Sequence, residues 1–163
     1  MSIRQGKYFK QRGFTLLEVL IAVLVLSIGL IGLAGMQLLG VKNNNSAAMR
    51  SQAVFLAQDI SDRMRANIGN AGSYVITGTP SCVGLCTITS GCSGSQLATY
   101  DVCQWRNSAA TLPSGIGHIT YDAGNDVYRI RLMWDDERTG ATGTNCGSDP
   151  TVDLSCFDME FRP

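Results

Sequence analysis

The stretch "QRGFTLLEVLIAVLVLSIGL", Gln11 to Leu30, is apolar enough to lie in a membrane, yet it carries a carboxylate, Glu18, near its start. The apolar run extends from Phe14 to Val41, with Glu18, Ser27 and Gln37 as its main polar interruptions. About 20 apolar residues suffice to span a bilayer as a helix, so the run predicts a membrane helix. A secretory signal would have an apolar region of only about 7 to 15 residues closed by a small-residue A-x-A-like site. This run is longer, and no such site closes it. Arg4, Lys7, Lys10 and Arg12 precede it, whereas only Lys42 and then Arg50 follow closely. Positive flanks stay in the cytoplasm, so the N-terminus is predicted to be cytoplasmic and the rest exported. Gly29, Gly32 and Gly35 lie inside the run. They therefore read as helix flexibility and close helix packing, not as a phosphate-cradling loop.

The chain has 163 residues, room for one domain of ordinary size, and its 13 Lys and Arg balance 13 Asp and Glu. Because four of the basic residues precede the apolar run, the exported remainder is net acidic. That argues against a nucleic-acid partner. All six cysteines, Cys82, Cys86, Cys92, Cys103, Cys146 and Cys156, fall in the exported part. An even count in an oxidising compartment favours disulfides. Zinc held by Cys82, Cys86, Cys92 and Cys103 is the weaker reading, since neither a C-x2-C pair nor the two-pair spacing of a zinc ribbon is present. Cys146 and Cys156 flank a short loop through Gly147-Ser148-Asp149-Pro150 that leads to the last predicted strand, and they are expected to pair. The other four are then expected to pair among themselves, in an order the sequence leaves open.

Beyond the polar triplet Asn43, Asn44 and Asn45, apolar residues Met49, Ala53, Leu56, Ile60 and Met64 recur at helical spacing opposite Arg50, Asp59, Asp62, Arg63 and Arg65. This predicts an amphipathic helix to about Asn67, joined to the membrane helix through a soft, polar segment. Residues 69–96 are rich in Gly, Ser and Thr without periodicity and read as loop held by disulfides. Ala98, Val102, Trp105, Ala109 and Leu112 predict a short second helix that stops at Leu112-Pro113-Ser114-Gly115, with Trp105 as a core anchor. Strands follow at Ile116–Tyr121 and Val127–Trp134, joined by a turn at Asp122-Ala123-Gly124-Asn125, and a last strand holds Phe157, Met159 and Phe161. In the second strand Tyr128, Ile130, Leu132 and Trp134 form the buried face, with Arg129, Arg131 and Met133 opposite. The short connections make the sheet antiparallel.

No catalytic constellation emerges. His118, the single histidine, starts a strand with no serine or cysteine motif pointing to it. Asp135-Asp136-Glu137 lacks the spacing of a calcium loop and reads as a solvated turn at a strand end. No cofactor or metal site and no enzymatic activity are predicted.

The segment "KQRGFTLLEVLIAVLVLSIGLIGL", Lys10 to Leu33, resembles the class III signal of type IV prepilins and pseudopilins: a basic leader ending in glycine, then phenylalanine, a hydroxyl residue and a glutamate. The resemblance implies that prepilin peptidase cuts after Gly13 and N-methylates Phe14. It also implies that Glu18 pairs with the Phe14 ammonium of a neighbouring subunit during assembly. A carboxylate at the bilayer centre costs about 2.5 to 3.5 kcal/mol on an insertion scale, and less near the interface. Glu18 lies only about 6 Å deeper than Phe14 along a helix, where it can meet that ammonium. Gly35 stands in the neighbourhood where such pilins often carry proline.

Two further stretches, "LAQDISDRMRAN", Leu56 to Asn67, and "GIGHITYDAGNDVYRIRLMWDDERTG", Gly115 to Gly140, resemble the PilV-type minor pilins, also called type IV pilus modification proteins. What the resemblance implies is an α+β pilin-like fold: a long N-terminal helix and a globular head with a short second helix, an antiparallel sheet and disulfides. The expected organisation is a cleaved leader at 1–13, a transmembrane and assembly half-helix at 14–42, and an exported head at 43–163. The implied function is initiation of pilus assembly with other minor pilins, the major pilin and a tip adhesin. The implied location is the inner membrane with a periplasmic head, then the pilus, at its tip. A pseudopilin of type II secretion shares the same leader, and a membrane-anchored exported enzyme or binding domain is a third reading.

Overall fold

The computed structural model describes residues 13–82, 86 and 91–162. The predicted leader, but for Gly13, therefore lies outside the described residues, as does part of the stretch read as loop. The described elements are α1 (Leu16–Ala66), a 3-10 helix (Ile68–Tyr74), α2 (Gly94–Ala109), β1 (Ile116–Asp122), β2 (Val127–Trp134) and β3 (Ser155–Phe161). Together they form the α+β, type IV pilin-like fold expected of the sequence. The chain divides into two compact units, Met1–Asn43 and Asn44–Pro163.

In the first unit α1 buries nothing. Every large apolar residue from Leu16 to Val41 is more than half exposed, and the helix is long and apolar enough to cross a membrane. Asn43, Asn44 and Asn45 are helical, so the two predicted segments run as the one long helix expected. Asparagine costs a helix only a fraction of a kcal/mol per residue, too little to end one of this length.

In the second unit α1 supplies a stripe of Met49, Ala53, Ala57, Ile60 and Met64. It packs with Ala98, Val102 and Trp105 of α2 and with Ile119, Ile130, Leu132 and Phe161 of the sheet to form the main core. α2 begins earlier than its apolar stripe. Ser93 and Gln96 form a reciprocal capping box, with the Ser93 hydroxyl accepting from the Gln96 N–H and the Gln96 side chain accepting from the Ser93 N–H. The 69–96 stretch is thus not simply loop: besides the start of α2 it holds most of the 3-10 helix, and Ile76 bridges to Ile119. α2 ends at Ala109, and the chain turns so tightly toward β1 that a side chain on Gly115 would overlap the Ala109 carbonyl.

The sheet has order β1-β2-β3, all antiparallel, with Ile119 opposite Ile130 and Ile130 opposite Met159. Its inner face carries the main core. Its outer face carries two cross-strand ion pairs, Arg131–Asp158 at 2.6 Å and Arg129–Glu160 at 3.0 Å. Met133 departs from the predicted solvent face. It is fully buried in a second, smaller core with Ala141 and Leu154, flanked by Ile116, Cys146 and Cys156. The segment between β2 and β3 folds over this end of the outer face, a contact that strand alternation alone does not show.

Asp135 also departs from its reading as a solvated acid. It is 5% exposed, and its two carboxylate oxygens accept from the N–H groups of Thr139 (3.1 Å) and Gly140 (2.8 Å). Burial alone would raise its pKa, but these donors hold it below the ordinary carboxylate range. The Arg131 hydrogen bond likewise holds Asp158 low. A depressed folded-state pKa contributes stability that is present above the unfolded-state value and lost as pH falls through the folded-state value. The urea midpoint is therefore expected to be flat from about pH 7 to 5 and to fall below about pH 4. Asp158→Asn should flatten that fall; an unchanged slope in Asp158→Asn would show that the Arg131 pair contributes nothing to it.

Candidate functional site

The first unit presents the N-terminal site. Phe14 is 82% exposed, and no described residue beyond its chain neighbours lies within 4 Å of where a side chain on Gly13 would begin. Thr15 caps α1: its carbonyl and its hydroxyl both accept from the Glu18 N–H, at 3.1 and 3.3 Å. Thr15-Leu16-Leu17-Glu18 is thus the T-x-x-E signature of a helix start, a local signal that the reading of Glu18 as a membrane charge passes over. It places the carboxylate in the first turn, where the helix dipole favours an anion by about 0.3–1 kcal/mol. That offsets only part of the cost of a charge in lipid. No cation pairs with Glu18 among the described residues.

The second unit binds its six cysteines as three disulfides, Cys82–Cys103, Cys86–Cys92 and Cys146–Cys156. Thiolates for zinc are therefore not available. Cys82–Cys103 ties the glycine-rich segment to the buried side of α2, and Cys146–Cys156 ties the segment before β3 to that strand. Chain-entropy models assign a loop of the latter size about 3 kcal/mol.

The stretch "LAQDISDRMRAN" has a physical task in the head. Arg63 bonds both Asp59 and Asp101, the latter at 3.0 Å. Asp101 accepts from the Tyr74 hydroxyl at 2.8 Å, and Asn67 donates to the Gly94 carbonyl at 2.7 Å. This network joins the end of α1, the 3-10 helix and the start of α2. Burial and the Asp101 carboxylate push the Tyr74 hydroxyl up to about 12. Asp101 and Tyr74 have no sequence signature, because their partners come from other elements.

The remaining candidates resolve into structural roles. Trp105 is wholly buried and donates through Nε1 to the Leu56 carbonyl at 2.9 Å. His118 is half-buried opposite Arg131, and burial together with Arg106 and Arg131 lowers its pKa. A neutral imidazole flanked by two arginines lacks the carboxylate that would orient it as a base. Asp136 accepts from Ser46 Oγ at 2.6 Å and Trp134 Nε1 at 2.9 Å. Among the described residues no cluster of His, Cys, Asp and Glu is arranged to hold a metal.

An exposed apolar helix with a carboxylate in its first turn, in a chain with a disulfide-bonded α+β head, fits the pilin-like fold. Two family models match the chain. The prokaryotic N-terminal methylation motif matches residues 8–34, and the Tt1218-like model, described as type IV pilin Tt1218, matches residues 35–103. Over residues 8–103 the chain is thus similar to type IV pilins, with a prepilin N-methylation motif at its start. The motif implies processing by prepilin peptidase and assembly with other pilins. No curated protein and no solved structure matches the chain.

Proposed function

We propose that the chain is a minor pilin that helps start polymerisation of the type IV pilus together with other minor pilins and a tip adhesin. The observation that carries the reading is the first unit: an apolar helix with no buried residue and a lone carboxylate in its first turn. Such a helix is stable in water only when covered by lipid or by other helices. The proposed organisation is a leader removed after Gly13, an assembly helix over 14–42 with methylated Phe14 at its start, and a head over 43–163. The protein would sit in the inner membrane with its head in the periplasm before entering the pilus. The likeness of Leu56–Asn67 and Gly115–Gly140 to PilV-type pilins supports the minor-pilin role over that of a type II secretion pseudopilin.

The test is deletion of the gene followed by complementation. Surface pili should be lost and restored, with protein secretion through the outer membrane unchanged. Protein recovered from the complemented strain should have the intact mass of a chain starting at methylated Phe14. Normal piliation with failed secretion would assign the chain to the pseudopilins, and a mature start beyond Val41 would overturn the pilin reading altogether.

A further inference from the structure

Among the described residues, β1 has a backbone partner on its outer edge and β3 has none. Along β1, Ile76 exchanges backbone bonds with Ile119 at 2.8 and 2.7 Å. β3 has no such cover: among the described residues its backbone pairs with β2 alone. An antiparallel strand turns the N–H and C=O groups of alternate residues outward, so an uncovered edge is a template for another strand. Ser155–Phe161 contains neither proline nor glycine to spoil that template.

A groove of about 320 Å³ runs beside this strand, lined by Gln58, Ser61, Asp62 and Arg65 of α1 and Met159 and Glu160 of β3. Ser61 is 1% exposed, and its hydroxyl has no hydrogen-bond partner. That is unusual for this chain, where Ser27, Ser51, Thr99 and Ser108 each donate to the carbonyl four residues back. Asp153 Oδ1, far from this groove, is the other buried side-chain atom without a partner among the described residues, and a buried hydroxyl left unpaired marks a place where a partner group is missing.

We propose that an extended segment of a different pilin subunit adds to β3 as a fourth strand, fills this groove and gives Ser61 an acceptor. The proposal rests on the reading of the chain as one subunit of a multi-pilin assembly. Charge selects the occupant. On the outer face β3 offers Asp158 and Glu160, each already bonded on its β2 side to an arginine. A second copy paired antiparallel about Asp158 or Met159 would set carboxylate against carboxylate, which is destabilising. A strand with Lys or Arg at alternate positions would instead place each carboxylate between two cations.

The experiment places a photo-crosslinking residue at Arg162, just past β3, in the full-length chain in piliated cells, with the same residue at exposed Thr120 of β1 as control. The Arg162 position should crosslink to a pilin of different sequence, with the adduct mapping to an extended segment bearing Lys or Arg at alternate positions. The Thr120 position should not crosslink to that segment. The double substitution Arg129→Glu with Glu160→Lys keeps that internal ion pair and reverses one of the two edge charges, and should lower the Arg162 yield about tenfold. Crosslinking to a second copy overturns the proposal. So does absence of a crosslink while the chain still copurifies with other pilins, a result that leaves the assembly reading standing. A chain that copurifies with no pilin at all would overturn that reading and this proposal together.

Discussion

Trp105→Ala is expected to destabilise the head by about 3 to 5 kcal/mol, the range for deleting a buried aromatic side chain. Trp105 is fully buried, and it packs so closely on β1 that any side chain on Gly117 would overlap its ring. Its indole N–H also satisfies the Leu56 carbonyl of α1. One side chain therefore holds α2, α1 and the sheet at a fixed distance, and its loss leaves a cavity at their junction. Domains of this size are stable by only about 5 to 15 kcal/mol in total. Thermal unfolding of the full chain in detergent, disulfides intact, should shift down by roughly 10 to 20 °C. Trp105→Phe, which fills part of the cavity but cannot bond Leu56, should fall between. A shift of a few degrees or less for the alanine variant would show that the core closes around the gap and that Trp105 is not its anchor.

What the sequence shows and hides follows from the range of the interactions. The apolar stripe through Met49 to Met64, the stripe through Ala98 to Ala109, and the alternation in Val127–Trp134 and Phe157–Phe161 each repeat within one element, so each element is readable before it is packed. Burial of Met133 depends on Leu154, and the capping role of Asp135 depends on backbone groups of Thr139 and Gly140 held by a fold-specific turn. The polar network of Arg63, Asp101 and Tyr74 likewise joins three separate elements. None of these has a period or a spacing to betray it. The helix-start signals are a different kind of miss. Ser93 with Gln96, and Thr15 with Glu18, are short-range and legible. One was obscured by a glycine-rich composition that reads as loop, the other by the question of how a charge survives in lipid.

Both aspects of Glu18, helix start and charge in an apolar run, meet in the second expected effect. Glu18→Gln keeps the shape of the side chain, leaves the Thr15 cap intact because that cap uses the Glu18 backbone N–H, and removes only the charge. Insertion should therefore be unchanged or improved, since a charged group in a bilayer is costly and an amide much less so. Cleavage after Gly13 should proceed, because the leader sequence is unaltered. Assembly is where the loss should show. At about 4 Å and an effective dielectric near 20, the carboxylate and the Phe14 ammonium of a neighbour attract by on the order of 4 kcal/mol before desolvation. If a third to a half of that survives desolvation, incorporation should fall by about ten- to thirtyfold, at 1.4 kcal/mol per factor of ten. The measurements are membrane fractionation, which should show the variant accumulating as processed protein, and its amount in sheared pili relative to the parent chain. Glu18→Asp, which keeps the charge on a side chain one methylene shorter, should recover part of the incorporation. Normal incorporation of Glu18→Gln would leave the T-x-x-E helix start as the whole reason for a carboxylate at this position.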